Sequence, residues 1–223
     1  MKLLLLDTST KNFSLAVSSG DRVVASKNMV LKKVLSSSII PSIEGILKKA
    51  GIALNELDGF AVGLGPGSFT SLRVGVATVK GLAFALNKPV VGVSSLDIIA
   101  MGIKGDVPFL NVISDAKRDL LYACSYTKKD HVLERLSGYL LLPVKDILKK
   151  TKEKAFFTGD GITILEKENL ITKDYILADE KCWYPQAKNL LPLVLERFKK
   201  KNFDDIDKLV PLYLYPEDCQ VKK

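Results

Sequence analysis

Residues 59–93 read GFAVGLGPGSFTSLRVGVATVKGLAFALNKPVVGV, and the order of patterns within them decides the fold class. Gly59 to Leu64 is a short apolar strand, and Gly65-Pro66-Gly67 is a turn. Thr70 to Leu86 has helical spacing, and Pro89 to Val93 returns as a second strand. A strand, a helix and a second strand at these lengths form a parallel crossover, so the chain is α/β rather than all-β.

Working upstream, Leu3 to Thr8 is a buried strand, with Phe13 to Ser18 and Arg22 to Ser26 as antiparallel partners joined by the Gly20-Asp21 turn. A helix is expected over Ser37 to Ala50, with Ile39, Ile40, Ile43, Ile46 and Leu47 on one face, Pro41 in its first turn and Gly51 ending it. Downstream, Ser94 or Ser95 caps a third helix, and Asp97 favours its first turn. Gly102 to Pro108 has the turn residues of a lobe boundary, and the opening pattern then recurs. Phe109 to Ser114, Leu120 to Tyr126 and His131 to Leu136 are strands, the first two joined by the polar turn Asp115 to Asp119. Helices at 143–150 and 161–168, strands at 155–158 and 175–178, and a long helix at 185–201 follow. The reading is a duplicated α/β architecture with lobes at 1–105 and 106–223.

Composition bounds the function. Of 223 residues, 47% are hydrophobic, which supports a packed core. The longest apolar runs fall short of the ~20 residues that span a bilayer, and no signal-peptide pattern opens the chain. A cytoplasmic protein with no membrane partner is expected. Cys124, Cys182 and Cys219 lack paired spacing, so reduced thiols are expected and not a zinc or redox motif. The net charge of +8 permits a nucleic-acid partner. Lysines near helix ends, such as Lys199 to Lys201, are also what helix C-terminal dipoles favour.

Three segments carry a resemblance: Leu4–Ser14 (LLLDTSTKNFS), Gly63–Val93, and Ser114–Ala123 (SDAKRDLLYA). Together they resemble the TsaB family, also called YeaZ, bacterial proteins needed to make threonylcarbamoyladenosine in tRNA. The resemblance implies a two-lobed actin-like and hexokinase-like ATPase (ASKHA) fold. It further implies a non-catalytic partner of the transferase subunit TsaD, acting with the small ATPase TsaE, touching tRNA through the complex and pairing with itself when the partner is absent.

The residues bear on that expectation. In TsaD the strand equivalent to Pro89–Val93 leads into a His-x-x-x-His pair, whose imidazoles share one helical face and one metal. Ser95 and Ile99 stand at those places, so no metal site is expected. His131 has no partner pattern, and Ser68 lies in no nucleophile elbow, so no catalytic residue is assigned. The actin-like resemblance makes Asp7, Thr8, Ser9, Thr10 and Asp115 the candidate nucleotide contacts. ATP is then expected to bind weakly, or only through the partner ATPase. The second hairpin bears Lys117 and Arg118 where glycine is usual, which argues for a vestigial cleft. For docking, Ile39, Ile43 and Ile46 of the first helix, with Leu72, Arg73, Gly75, Val76, Val79, Gly81 and Ala83 of the second, are expected to form an exposed apolar interface. Its two glycines would let a partner helix approach closely. The alternative is a free-standing ATP-dependent kinase or acyltransferase of the same fold.

Overall fold

The computed structural model describes residues 1–30, 34–151 and 154–215; Cys219 and Lys152 lie outside them. The chain divides into two compact units, one of Met1–Gly102 with Pro185–Pro211, the other of Ile103–Tyr184 with the residues from Leu212 onward.

In the first unit, β1 (Lys2–Asp7), β2 (Asn12–Ser19), β3 (Arg22–Val30), β4 (Gly59–Gly63) and β5 (Val90–Val93) form one sheet in the order β3-β2-β1-β4-β5. β1 pairs antiparallel with β2 and parallel with β4, which pairs parallel with β5. The run Leu3-Leu4-Leu5-Leu6 is continuously apolar because both faces of the sheet are covered. Leu4 and Leu6 meet α1 (Leu35–Ala50) and α2 (Phe69–Leu86), whereas Leu3 and Leu5 meet α3 (Ser95–Met101) and α6 (Leu190–Lys199). By length and composition alone α2 could cross a bilayer, but it lays Val76, Val79 and Ala83 into this core.

The helix at the end of the chain corrects the lobe boundaries expected from sequence. Residues 185–211 return to the first unit, so a division at 105 and 106 into two continuous lobes does not hold. Leu190, Leu191, Val194 and Phe198 of α6 pack with Leu3, Leu5, Ala16, Ala61 and Val91. Gly59 admits the Phe198 ring, since a Cβ there would lie 2.3 Å from it. An apolar helix face reads the same whichever sheet it covers, so linear order misassigned it. The helix is also shorter than expected, preceded by a 3-10 turn at Ala187–Asn189.

The second unit holds β6 (Val107–Lys117), β7 (Leu120–Lys129), β8 (Val132–Arg135), β9 (Leu140–Pro143), β10 (Phe156–Thr158) and β11 (Ile176–Leu177). Their order is β11-β10-β6-β7-β8, and β9 also pairs with β7. Sequence reading had no strand at β9. α4 (Val144–Lys149) and α5 (Ile162–Lys167) complete a core around Ile113, Leu121, Phe157 and Leu165. The expected polar turn at 115–119 is tighter than foreseen: β6 runs through Lys117, and Lys117, Arg118 and Asp119 take φ of 68°, 55° and 60°. Two such residues at the centre of a two-residue hairpin match the right-handed strand twist.

The +8 charge is uneven between the units. The first holds 17 of the 33 basic and 10 of the 25 acidic residues, the second 16 and 15.

Candidate functional site

The candidate phosphate loop follows β1, and its chemistry is spent internally. Asp7 is fully buried. Its Oδ1 accepts from Ser9 N at 2.8 Å and from Ser9 Oγ at 2.7 Å. Its Oδ2 accepts from Ser95 Oγ at 2.6 Å. Ser95 Oγ in turn accepts from Gly65 N at 3.0 Å, and Ser95 N donates to Gly65 O at 2.7 Å. Ser94 caps α3 by accepting from Leu96 N at 3.2 Å. Burial raises the Asp7 carboxyl above the usual 3.8, and the Ser95 and Ser9 hydrogen bonds partly oppose that rise.

The neighbouring hydroxyls are also engaged. Thr8 Oγ1 donates to Ser71 O at 2.8 Å on α2. Thr10 Oγ1 donates to Asn12 O at 3.3 Å and accepts from Asn12 N at 3.2 Å. Ser68 N donates to Ser9 O at 2.7 Å, which ties the loop at 65–68 against the β1–β2 turn. Gly67 permits that approach, since a Cβ there would lie 2.1 Å from Ser9 O. This arrangement is a strut joining β1, the loop, α2 and α3. It occupies both acceptor sites of Asp7 Oδ1 and one of Oδ2, in an interior closed to water.

Asp115 belongs to the other unit, where Asp7 to Thr10 have no part. Its carboxylate pairs with Lys117 and accepts from Lys117 N at 2.7 Å. Its own N–H donates to Asp160 Oδ1 at 3.0 Å, which Ser114 Oγ also reaches at 2.7 Å. Burial raises the Asp160 carboxyl above its ordinary range. Sequence reasoning gave Asp160 no role; the glycines flanking it were the available signal. Gly159 has φ of 108°, and a Cβ there would lie 1.9 Å from Ile113 O, so this corner closes only with glycine.

The positions compared with a metal pair are accounted for by packing: Ser95 is the strut just described, and Ile99 is 2% exposed within the core. Among the described residues no three His, Cys, Asp or Glu side chains gather into a cation cage. His131 is exposed and sits with Asp130 in the turn between β7 and β8, at φ of 65° and 50°, rather than inside a strand. Ser68 is exposed and bonds Ser71 Oγ at 3.0 Å.

The expected docking residues need correction. Ile39, Ile43, Ile46, Leu72, Gly75, Val76, Val79 and Ala83 are all buried, and most of these side chains pack on their own sheet. The apolar period marked the inward stripe, which always carries the stronger signal. Gly75 serves the interior as well, because a Cβ there would lie 2.3 Å from Thr8 Oγ1. Only Arg73 and Gly81 of the expected set face outward. They share the open side of α2 with Ala77, Phe69 and Phe84, the last 81% exposed, and Arg73 stacks 3.7 Å over the Phe69 ring. Ile40 is the exposed isoleucine of α1.

Residues 29–212 match the family model described as TsaD: tRNA N6-adenosine threonylcarbamoyltransferase. Relatives named tRNA threonylcarbamoyladenosine biosynthesis protein TsaB include that of Bacillus subtilis, 29% identical over 227 residues, covering 100% of this chain and 97% of that one. The chain belongs to this family, in its TsaB (YeaZ) branch. YeaZ from Pseudomonas aeruginosa superposes with a TM-score of 0.82 at 28% identity, covering 96% of this chain and 99% of that chain. The activator of the 2-hydroxyisocaproyl-CoA dehydratase from Clostridium difficile, solved with bound ADPNP, has a TM-score of 0.52 at 12% identity, covering 92% and 99%. That likeness concerns fold alone, a shared two-sheet α/β architecture.

Proposed function

We propose that the chain is a non-catalytic subunit in the synthesis of threonylcarbamoyladenosine in tRNA, at the adenosine next to the anticodon. It binds and activates a TsaD-like catalytic paralogue, alongside a TsaE-like ATPase. The observation that supports this reading is the buried Asp7 carboxylate, held by Ser9 and by Ser95, the latter where the metal-binding paralogue bears an imidazole. A carboxylate already accepting three hydrogen bonds in a dry interior is a poor ligand for nucleotide-bound magnesium. The chain therefore holds no nucleotide tightly by itself, and ATP enters through the partner ATPase.

The docking surface is the outward side of α2 with Ile40 of α1, and the same side pairs two copies when the paralogue is absent. Phe84 supplies a large exposed anchor. A Cβ added at Gly81 would meet nothing within 4 Å in this chain, so its smallness serves close approach by another helix.

The two glycines of α2 separate these roles. Gly75→Val should destabilise the monomer by roughly 2–3 kcal/mol through overpacking against Thr8. Gly81→Leu should leave the melting temperature unchanged or raised, since leucine exceeds glycine in helix propensity by about 0.8 kcal/mol. Gly81→Leu combined with Phe84→Asp should weaken capture of the paralogue at least tenfold in a pull-down. Retained capture by that folded variant overturns the surface. Transfer of threonylcarbamoyl to tRNA by this chain alone overturns the non-catalytic role.

A further inference from the structure

The uneven charge has a location. α1 and α2 run back along the sheet, so each ends beside the starts of the parallel strands β1, β4 and β5. α6 ends there too, because Phe198 touches Gly59 and the segment after it bonds β5, with Asp204 N donating to Val90 O at 3.0 Å. Lys48 and Lys49 close α1, Lys88 follows α2, and Lys200 and Lys201 follow α6. Each helix end favours a cation or two by its dipole. Three helices ending on one rim bring those cations to one side of the sheet, where Glu56 and Asp58 are already engaged by Lys2 and the chain's amino terminus. Arg197, Lys199 and Lys208 are neutralised by Asp204, Glu196 and Asp205. Among the described residues none of the five rim lysines forms an ion pair within 4 Å, although Lys200 acts electrostatically on Glu196. Beside them Phe203, 37% exposed, lines a shallow groove with Lys88 and Pro89.

We infer that this rim binds the phosphate backbone of RNA directly, with Phe203 available for a base to stack on. Lysines outside close ion pairs can neutralise phosphates and so release the cations condensed on RNA, and an exposed ring beside them supplies the sequence-tolerant contact that single-stranded RNA uses. The choice of RNA over an acidic protein rests on the function proposed above, whose substrate is tRNA. It makes the contact direct, where the paralogue alone would otherwise hold the RNA.

The test is fluorescence polarisation of a labelled tRNA transcript with the full chain, from about 50 to 200 mM salt. The wild type should bind with a steep salt dependence. Lys88→Gln, Lys200→Gln and Lys201→Asn combined should weaken binding at least tenfold and flatten the log–log salt slope by roughly two to three. Asparagine is chosen at 201 because that residue sits at φ of 53°. Lys145→Gln, Lys149→Gln and Lys150→Gln combined, in the second unit, should leave binding close to wild type. The inference is overturned if the rim variant binds as the wild type does, if both triple variants lose equally, or if polyglutamate competes as well as RNA. Because Lys88 shares its groove with Phe84, paralogue capture is measured with Lys200→Gln and Lys201→Asn alone, which should leave it unchanged, so failure of the RNA contact and failure of the docking reading give different results.

Discussion

Asp7→Ala should cost the fold several kcal/mol at neutral pH, whereas Asp7→Asn should cost less. The alanine removes the acceptor for three buried donors, Ser9 N, Ser9 Oγ and Ser95 Oγ. Each unsatisfied donor costs about 1–3 kcal/mol, so roughly 3–5 kcal/mol is expected after partial re-aiming of the two hydroxyls. Asparagine keeps an oxygen for Ser9 and removes a charge that burial disfavours, but its Nδ2 cannot accept from Ser95 Oγ, so one donor of the three must re-aim at a cost of about 1–3 kcal/mol. The pH dependence fixes the sign. Burial raises the folded Asp7 carboxyl above 3.8, so the folded state binds that proton more tightly than the unfolded chain does. Its stabilising contribution is full below the unfolded value and is lost as pH rises through the folded one. Relative to wild type, Asp7→Asn should therefore become less stable as pH falls from 7 through the raised folded value towards the unfolded one, measured by urea denaturation at each pH. A carboxylate whose task was to hold a metal–nucleotide would give the opposite pattern: binding lost and stability unmoved.

Gly63→Ala should be among the most damaging single methyl additions in the chain. The new Cβ would lie 1.8 Å from Asp7 Oδ2, 2.7 Å from its Cγ and 3.1 Å from Ser95 Oγ. A free side chain would swing away, but Asp7 is tied on both oxygens. Overpacking and a broken buried network together are expected to cost about 3 kcal/mol or more. The cost should not add to that of Asp7→Ala, because removing the carboxylate vacates the space the methyl needs. The double variant should be more stable than the sum of the single losses by more than about 1 kcal/mol. Additive losses in such a cycle would refute the packing assigned to Gly63.

Much of this architecture was legible in the sequence. Residues 59–93 gave strand, turn, helix and strand to within a residue or two, because apolar periods and Gly or Pro punctuation are local signals. The lobe membership of α6 was not legible, since burial against β4 depends on Gly59 meeting Phe198 across more than a hundred residues. β9 escaped because Leu140-Leu141-Leu142 is too short and uniform to show a period. At the site, the resemblance placed Ser95 and Ile99 at the positions of an imidazole pair. That Ser95 grips Asp7 could not, because nothing local announces a hydrogen bond between residues 88 positions apart. The docking stripe failed in an instructive way. Periodicity reports which residues leave water, and Ile39, Ile43 and Val79 leave it for their own sheet.

The late arrival of α6 also orders events at the ribosome. The face of the first sheet that carries Leu3, Leu5 and Val91 stays without its covering helix until residue 199 has been synthesised. For most of its synthesis the nascent polypeptide holds that wet apolar face open, a target for chaperones. A fragment ending at Tyr184 would keep it open permanently and should aggregate.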